Sequence, residues 1–140
     1  MLTKGMFSSG PDEWATPTAT FAALDAKFHF DLDPCATDIN HKCPDYYTKK
    51  ENGLLQDWGG RRVFCNPPYG RAIAAWVKKC SDEAKKPETL VVALLPARTD
   101  TAWFHDYIYG KAREIQFLRG RLHFNDAKNA APFPSMIVVF

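Results

Sequence analysis

Several features that define other protein classes are missing from this sequence of 140 residues. No apolar run approaches the roughly 18 residues needed to span a bilayer, which argues against an integral membrane protein. The first ten residues contain one lysine, no apolar core and no small-residue cleavage site, so we expect no secretory signal and a cytoplasmic protein. With 46% hydrophobic and 24% charged residues, the chain has the composition of one globular domain.

Cysteine is scarce, and its spacing fits no common zinc motif. Residues 35, 43, 65 and 80 are cysteines, and no two of them form a Cys-x-x-Cys pair. We therefore predict no metal site. In the absence of a secretory signal, we expect free thiols in a reducing compartment.

The formal net charge is only +2, but the charge is unevenly distributed. Residues 1–60 contain 5 lysines and 9 acidic residues, whereas residues 61–140 contain 13 basic and 7 acidic residues. The basic half could contact phosphate groups, and the acidic half could bind a cation. Chance segregation of surface charge explains the same numbers equally well.

Residues 1–12 are predicted to form a flexible N-terminal tail, and residues 13–140 a single domain. A helix is expected to begin with Thr16 as its N-cap and Pro17 at its first position. Further helices are expected over residues 71–86 and 101–109. Strands are expected over residues 28–32, 54–58, 63–65, 90–95, 114–118 and 136–140.

Strands that alternate with helices predict an α/β fold with a mainly parallel sheet. Residues 90–95 are continuously apolar, as in a parallel strand that is buried on both faces. The last two strands are separated by Gly120 and a polar loop. We expect these two strands to form an antiparallel pair at the edge of the sheet.

The sharpest local feature is the turn formed by Asn66, Pro67, Pro68 and Tyr69. Two prolines cannot continue a sheet ladder, so a rigid loop must follow the preceding strand. Ligands of open α/β sheets bind beyond the carboxyl ends of the strands. The side-chain oxygen of Asn66 and the carbonyl of Pro67 are acceptors that suit a planar amino group. The ring of Tyr69 could stack on a flat heterocycle.

Asn-Pro-Pro-Tyr resembles the signature of S-adenosylmethionine-dependent methyltransferases that modify exocyclic or amide nitrogens. From residue 13 to its end, the sequence is similar to the small phage-type DNA N-6-adenine methyltransferase family. The similarity includes residues 95–101, 103–105, 120–122 and 132–135. It implies a compact, reduced Rossmann-like methyltransferase fold of phage or prophage origin, with S-adenosylmethionine as cofactor and double-stranded DNA as substrate.

Three segments resemble cofactor-binding segments of that family. The segment expected at the methionine end of the cofactor contains Trp14, Thr16 and Pro17. The segment that resembles the end of the first cofactor-binding strand contains Asp31, Asp33, Pro34, Cys35 and Ala36. The third segment contains Asp57, which the resemblance implies lies at the cofactor adenine.

The glycine-rich loop that usually follows the first strand in this superfamily is missing, since no glycine occurs after Asp33 until Gly53. Only 24 positions separate Asp33 from Asp57, which is too few for the usual strand–helix–strand passage. We therefore expect one strand–helix unit to be absent. Either Asp31 or Asp33 could then bind the ribose hydroxyls, and their strand could correspond to the first or the second strand of the superfamily.

The resemblance implies methylation of the adenine N6 amine after the base has left the duplex stack. Asn66 and the carbonyl of Pro67 would accept the two amine hydrogens, and Tyr69 would stack on the ring. The candidate phosphate contacts are Arg98, Arg119, Arg121, Lys111 and Lys128. So short a chain could need a second copy to complete its DNA-binding surface, which predicts a homodimer.

Two other functions are consistent with the same residues. A protein-glutamine N-methyltransferase acts on an amide that is chemically similar to the adenine amine. A non-catalytic DNA-binding relic of the same fold would explain the missing glycine-rich loop. The basic second half and the phage-type pattern favour catalysis on DNA.

Overall fold

The computed structural model describes residues 14–140. The predicted flexible tail, residues 1–12, lies outside the described residues. Within residues 14–140, no helix has both the length and the apolar character needed to cross a bilayer.

The described part of the chain forms one six-stranded sheet in the order β2-β1-β3-β4-β6-β5. The strands are β1 (Leu32–Asp33), β2 (Asp45–Tyr46), β3 (Arg62–Cys65), β4 (Leu90–Pro96), β5 (Glu114–Phe117) and β6 (Ser135–Val139). The helices are α1 (Thr18–Phe28), α2 (Ile73–Ala84) and α3 (Ala102–Tyr107). Single 3₁₀ turns occupy Gly53–Leu55 and Phe124–Asp126.

Strands β1 to β4 are parallel to one another, whereas β6 is antiparallel to both β4 and β5. This arrangement confirms the predicted α/β fold with an antiparallel pair at one edge. The register aligns Leu95 of β4 with Met136 of β6, and Met136 in turn with Phe117 of β5. Strand β5 therefore runs in the same direction as β4, and both strands end at the same edge of the sheet.

The core of the molecule lies around β4 and β6. Residues 91–96 and all of Ser135–Val139 are buried. A strand that is covered on both faces can be apolar at every position, which is why β4 was recognisable from its sequence. Helix α2 packs against this core through Ile73, Trp76, Val77 and Cys80, as its amphipathic pattern predicted.

The N-terminal prediction was wrong in its boundaries. Helix α1 begins at Thr18, one residue later than expected, and Thr16 does not cap it. The strand predicted over residues 28–32 is mostly absent, because α1 continues to Phe28 and His29 ends it in the left-handed conformation with φ 55°. Only Leu32–Asp33 pairs as a strand.

The passage between β1 and β3 is short. Residues 34–61 form β2 and the turn Gly53–Leu55, and no α-helix occurs in this range. The predicted strand end at residues 54–58 was therefore wrong. Strand β1 lies between β2 and β3, so the turn that follows β3 emerges next to the loop that follows β1.

Candidate active site

The carboxyl ends of β1 and β3 lie side by side because these strands are parallel and directly paired. A cavity of about 690 Å³ opens beyond them. This volume lies within the roughly 300–1,000 Å³ that is typical of sites for small molecules and cofactors. The edge of the sheet expected to bind a ligand is therefore the edge that carries a cavity.

Nine of the residues predicted to bind cofactor or substrate line this cavity. They are Trp14, Thr16, Asp33, Pro34, Cys35, Ala36, Asn66, Pro67 and Pro68. They belong to three separate parts of the chain, namely the segment before α1, the loop after β1 and the turn after β3. The fold brings these segments together around one space.

Further lining residues come from the polar stretch 37–53, to which the sequence analysis gave no role. Among them are Thr37, Asn40, Lys42, Thr48, Lys49, Asn52 and Gly53. This stretch has no helical or strand periodicity, so its packing was not predictable. The glycine at position 53 is the one residue in this stretch whose type could have indicated close packing. In the structure, a Cβ at that position would lie 2.4 Å from the carbonyl oxygen of Pro34.

Asn66 follows β3 directly, and its side chain reaches the segment before α1. The amide nitrogen Nδ2 donates to the carbonyl oxygen of Trp14 and, at 2.9 Å, to Oγ1 of Thr16. Both bonds use the nitrogen, so the amide oxygen remains for another partner. Among residues 14–140, no donor reaches Oδ1 of Asn66, although this atom is buried. Leaving a buried acceptor unpaired costs about 1–3 kcal/mol, so this oxygen of a cavity-lining residue is a candidate acceptor for a ligand.

Tyr69 is not brought to the cavity. Its side chain is 2% exposed, and its hydroxyl donates to the carbonyl oxygen of Leu94 at 3.0 Å. Its ring makes edge contacts with Phe124 and Phe133. Burial raises the pKa of Tyr69 well above its usual value, so the hydroxyl stays protonated as a donor. In this structure the ring supports the Asn66 turn from the core rather than presenting a stacking face.

Comparison with known proteins identifies the family of this chain. The model of the family described as DNA N-6-adenine-methyltransferase (Dam) matches residues 6–140. This chain belongs to the DNA N-6-adenine-methyltransferase (Dam) family. The match confirms the resemblance inferred from the Asn-Pro-Pro-Tyr turn and its accompanying segments, and it covers the whole described domain.

Two curated relatives carry the same family name. The chain is 36% identical over 121 residues to the DNA N-6-adenine-methyltransferase of Haemophilus phage HP1 (strain HP1c1), which covers 84% of this chain and 69% of the relative. It is 36% identical over 95 residues to the DNA N-6-adenine-methyltransferase of Escherichia phage T1, which covers 66% of this chain and 39% of the relative. The phage assignment of the family is thus consistent with both relatives.

In this Dam-family chain, Asp33 lies at the cavity and organises the loop that follows β1. Its carboxylate accepts hydrogen bonds from the backbone N–H groups of Cys35 at 3.1 Å and Lys42 at 2.9 Å. Burial raises the pKa of Asp33, and the two backbone hydrogen bonds oppose that shift without cancelling it. Asp33 therefore holds the two ends of residues 35–42 together at the cavity wall.

Asp31 and Asp57 were predicted cofactor contacts, but the structure does not bring them to the cavity. Asp31 precedes β1 and pairs with Arg61, which precedes β3, so it lies at the opposite edge of the sheet. Asp57 is exposed and pairs with Lys86. Both carboxylates have partners of their own, and among residues 14–140 Asp33 is the acidic residue that lines the cavity.

Pro17 is also absent from the cavity wall among the described residues. It is buried, and its carbonyl accepts the hydrogen bond from the backbone N–H of Phe21, at 3.0 Å, that starts the first turn of α1. Its role is to start the helix, so of the predicted Thr-Pro pair only Thr16 faces the ligand space.

The cysteines of this Dam-family chain are free thiols. Cys35 lines the cavity, and its Sγ lies 3.8 Å from Sγ of Cys65. Burial raises the pKa of the Cys35 thiol to about 11, so it is protonated at neutral pH. Within residues 14–140, no three His, Cys, Asp or Glu side chains are grouped as a metal site.

Four of the five predicted phosphate contacts lie at the edge of the sheet that carries the cavity. Arg98 follows β4, and Arg119, Arg121 and Lys128 lie between the end of β5 and the start of β6. All four are exposed. The guanidinium of Arg98 lies 5.6 Å from the ring centroid of Phe133, which also contacts Trp14 in the cavity wall.

Lys111 is at the wrong edge for that role. It precedes β5, whose first residue, Glu114, aligns with the final residue of β6, Val139. The amino end of β5 therefore lies at the edge opposite the cavity. The Lys111 side chain donates to the carbonyl oxygen of Asp106 at 2.6 Å. Lys111 and Arg119 are not distinguishable from the sequence alone, because the direction of β5 is set by its pairing with β6.

Proposed function

We propose that this chain transfers a methyl group from S-adenosylmethionine to the N6 amine of adenine in DNA. One observation carries the proposal. The family requires an acceptor for an exocyclic amine, and Asn66, which lines the main cavity of the described chain, has a buried amide oxygen with no partner among residues 14–140. A planar –NH₂ group is the donor that this oxygen lacks.

The cavity fits a cofactor of this kind. S-Adenosylmethionine supplies an electrophilic methyl group on a sulfonium. The loop after β1, which Asp33 holds, forms one part of the cavity wall. Gly53 lies close to Pro34 there, and a side chain on residue 53 would collide with the Pro34 carbonyl oxygen. Asp33 would supply negative charge, and Thr16 and Trp14 would bound the side next to Asn66.

Adenine in a duplex has its amine paired, so the target base must be extruded before it can reach this cavity. The Oδ1 atom of Asn66 would accept one amine hydrogen, and the carbonyl oxygen of Pro67 would accept the other. Two acceptors in fixed positions orient the nitrogen lone pair toward the methyl group. Orientation of this kind contributes up to about 7–11 kcal/mol in well-aligned reactions.

The amine nitrogen would form its bond to the methyl carbon as the bond from sulfur to that carbon breaks, which leaves a neutral thioether. The methylated nitrogen would then lose one proton to water, so the reaction needs no residue that removes a proton first. Pro67 and Pro68 contribute rigidity, because each has a restricted φ that limits the motion of the turn. Stacking by Tyr69 would require the rings of Phe124 or Phe133 to move aside, since they cover it in the free protein.

The DNA would approach the edge of the sheet that carries the cavity. Arg98, Arg119, Arg121 and Lys128 are exposed there and would contact phosphate groups. The positive charge counted in the second half of the sequence would in this way serve binding of DNA next to the cavity.

The deciding experiment incubates the protein with labelled S-adenosylmethionine and duplex DNA, and then analyses the nucleosides by mass spectrometry. We expect N6-methyladenine with the unaltered protein and a loss of at least roughly 100-fold in rate with Asn66→Ala, because preorganised polar contacts of this type contribute about 10²–10³-fold. Equal rates for the two proteins would refute the role of Asn66. Titration calorimetry with S-adenosylmethionine checks that the variant still binds cofactor.

The same assay separates the rival functions. Methylation of a glutamine peptide without methylation of DNA would identify a protein methyltransferase. Binding of DNA without binding of S-adenosylmethionine would identify a non-catalytic relic. The expected homodimer is tested by light scattering, and a fully active monomer would contradict it.

A further inference from the structure

The turn Phe124–Asp126 binds the segment before α1 at the cavity, which Ala15 and Asn125 both line. The backbone N–H of Asn125 donates to the carbonyl oxygen of Ala15 at 2.8 Å. The backbone N–H of Ala15 donates back to Oδ1 of Asn125 at 3.1 Å. Asn125 therefore satisfies both backbone polar groups of Ala15, although the two residues are 110 positions apart.

Asp126 extends the same contact to the start of α1. Its Oδ1 accepts a hydrogen bond from the backbone N–H of Thr18 at 3.0 Å, and its Oδ2 accepts one from the Thr18 hydroxyl at 2.6 Å. These two bonds from Thr18 hold the pKa of Asp126 below its usual value. A carboxylate outside α1 thus caps the helix that lacks a cap from its own N-terminal residue.

Asn66 and Asn125 bind different residues of the same three-residue segment. Asn66 donates to the carbonyl oxygen of Trp14 and to the hydroxyl of Thr16. Asn125 forms hydrogen bonds with both backbone polar groups of Ala15, the residue between those two. The acceptors that orient the Asn66 amide therefore stand where the Asn125 turn places them. Both asparagines also line the cavity.

The backbone of this turn is unusual. Asn125 has φ 61° and Asp126 has φ 51°, and among the described residues they are the one adjacent pair of non-glycine residues with positive φ. Asparagine and aspartate tolerate this region better than other side chains, but glycine adopts it at no steric cost. Glycine would fit the backbone of positions 125 and 126 but could not form these side-chain hydrogen bonds. Asn125 and Asp126 both tolerate the positive φ and bond to residues 15–18.

We propose that Asn125 and Asp126 are positioning residues that fix the orientation of the Asn66 amide, by holding residues 14–18 in place. Asn66 then keeps its nitrogen paired within the protein and its oxygen available to the substrate amine. The inference rests on the proposed function for its consequence in catalysis, but the orientation of the Asn66 amide is measurable without any reaction.

The test uses Asn125→Gly, because glycine suits the positive φ and removes only the side-chain acceptor for Ala15. We expect its melting temperature to fall slightly, because the lost hydrogen bond and the greater freedom of glycine in the unfolded chain outweigh the relief of the positive φ, and its kcat for DNA methylation to fall by roughly 10- to 100-fold with KM for DNA unchanged. Asn125→Asp keeps an acceptor for the Ala15 N–H and should restore most of kcat. Glu88→Gly, at an exposed residue with φ 55°, is the matched control and should leave kcat unchanged.

The activity-independent readout is the side-chain amide resonance of Asn66 in a ¹⁵N–¹H spectrum, assigned by its loss in Asn66→Ala. We expect this resonance to shift and its hydrogens to exchange faster in Asn125→Gly, and to return in Asn125→Asp. An unchanged resonance in Asn125→Gly overturns the proposal. Failure of Asn125→Asp to restore kcat would instead identify a direct contact of the Asn125 amide with substrate and would also overturn it.

The two levels of the inference fail separately. If the unaltered protein methylates no DNA, the proposed function is wrong, and the Asn66 resonance alone decides whether Asn125 positions it. If the unaltered protein is active and Asn125→Gly retains full kcat, the function stands and the positioning role is refuted.

Discussion

The side-chain nitrogen of Asn66 lies 2.9 Å from the hydroxyl oxygen of Thr16, and these residues are 50 positions apart in the chain. The contact joins the end of β3 to the segment before α1. It leaves the Asn66 oxygen buried without a partner among the described residues. Thr16, which looks like a helix cap in the sequence, is therefore a residue of the cavity wall that pairs with the Asn66 nitrogen.

This contact predicts a defined effect for substitution of Thr16. Thr16→Val keeps the shape of the side chain but removes the acceptor for Asn66, so we expect kcat for DNA methylation to fall roughly tenfold, equivalent to about 1.4 kcal/mol. Thr16→Ser retains the hydroxyl and should keep nearly full kcat. Steady-state kinetics of the three proteins provide the measurement. Equal kcat values for the Val and Ser variants would contradict the role of the hydroxyl.

Gly53 should tolerate no side chain. A Cβ at this position would lie 2.4 Å from the carbonyl oxygen of Pro34 and 3.0 Å from the ring of Trp76. We expect Gly53→Ala to destabilise the fold by about 1–3 kcal/mol, since overpacking forces the backbone to shift, and to weaken binding of S-adenosylmethionine. Thermal melting and calorimetry measure the two effects.

Gly59→Ala is the matched control for that experiment. Its Cβ would meet the flexible Asp57 carboxylate at 3.0 Å and the Lys86 side chain at 3.4 Å, both of which can move. Its effect on cofactor binding should be small because Gly59 lies outside the cavity wall. If both alanine variants weaken binding equally, the close packing of Gly53 is not what shapes the cavity.

Cys35 should react slowly with alkylating reagents despite lining the cavity. Its pKa is raised to about 11 from an ordinary 9.0, so the reactive thiolate is rarer at pH 8 by about two powers of ten than in the unfolded chain. We expect alkylation of Cys35, followed by mass spectrometry, to accelerate about tenfold per pH unit between pH 8 and pH 10. The urea-unfolded chain is the reference, and an equal rate in the folded protein at pH 8 would contradict the raised pKa.

The two edges of the sheet predict different contributions to DNA binding. Removing the charge of Arg121, at the edge with the cavity, should reduce the slope of log K against log salt concentration by about 1. Lys111→Ala removes one positive charge at the opposite edge and should leave the slope unchanged. Fluorescence anisotropy at several salt concentrations measures both, and equal changes for the two variants would refute an interface at one edge.

The local chemistry of the chain made part of this site predictable. Residues 63–65 had to form a buried strand that stops at two prolines, and the next positions had to lie at the carboxyl end of that strand. Asn66, Pro67 and Pro68 were therefore located without a structure. The same reasoning did not separate Asp31 from Asp33, because it depends on where β1 ends: Asp31 precedes the strand and lies at the opposite edge, whereas Asp33 ends the strand and lines the cavity.

The sequence was sufficient to predict the α/β class and the ligand-binding edge of the sheet. These predictions used the composition, the continuous apolar run of β4 and the proline turn after β3, which depend on the chemistry of neighbouring residues. Three other features depended on folding. They are the orientation of the Asn66 amide, the hydrogen bonds between Asn125 and Ala15, and the edge of the sheet at which each basic residue lies. Each arises from contacts or strand pairings between residues far apart in sequence. Such contacts form only when strand order and direction are set by burial of the whole core, and no local pattern records them.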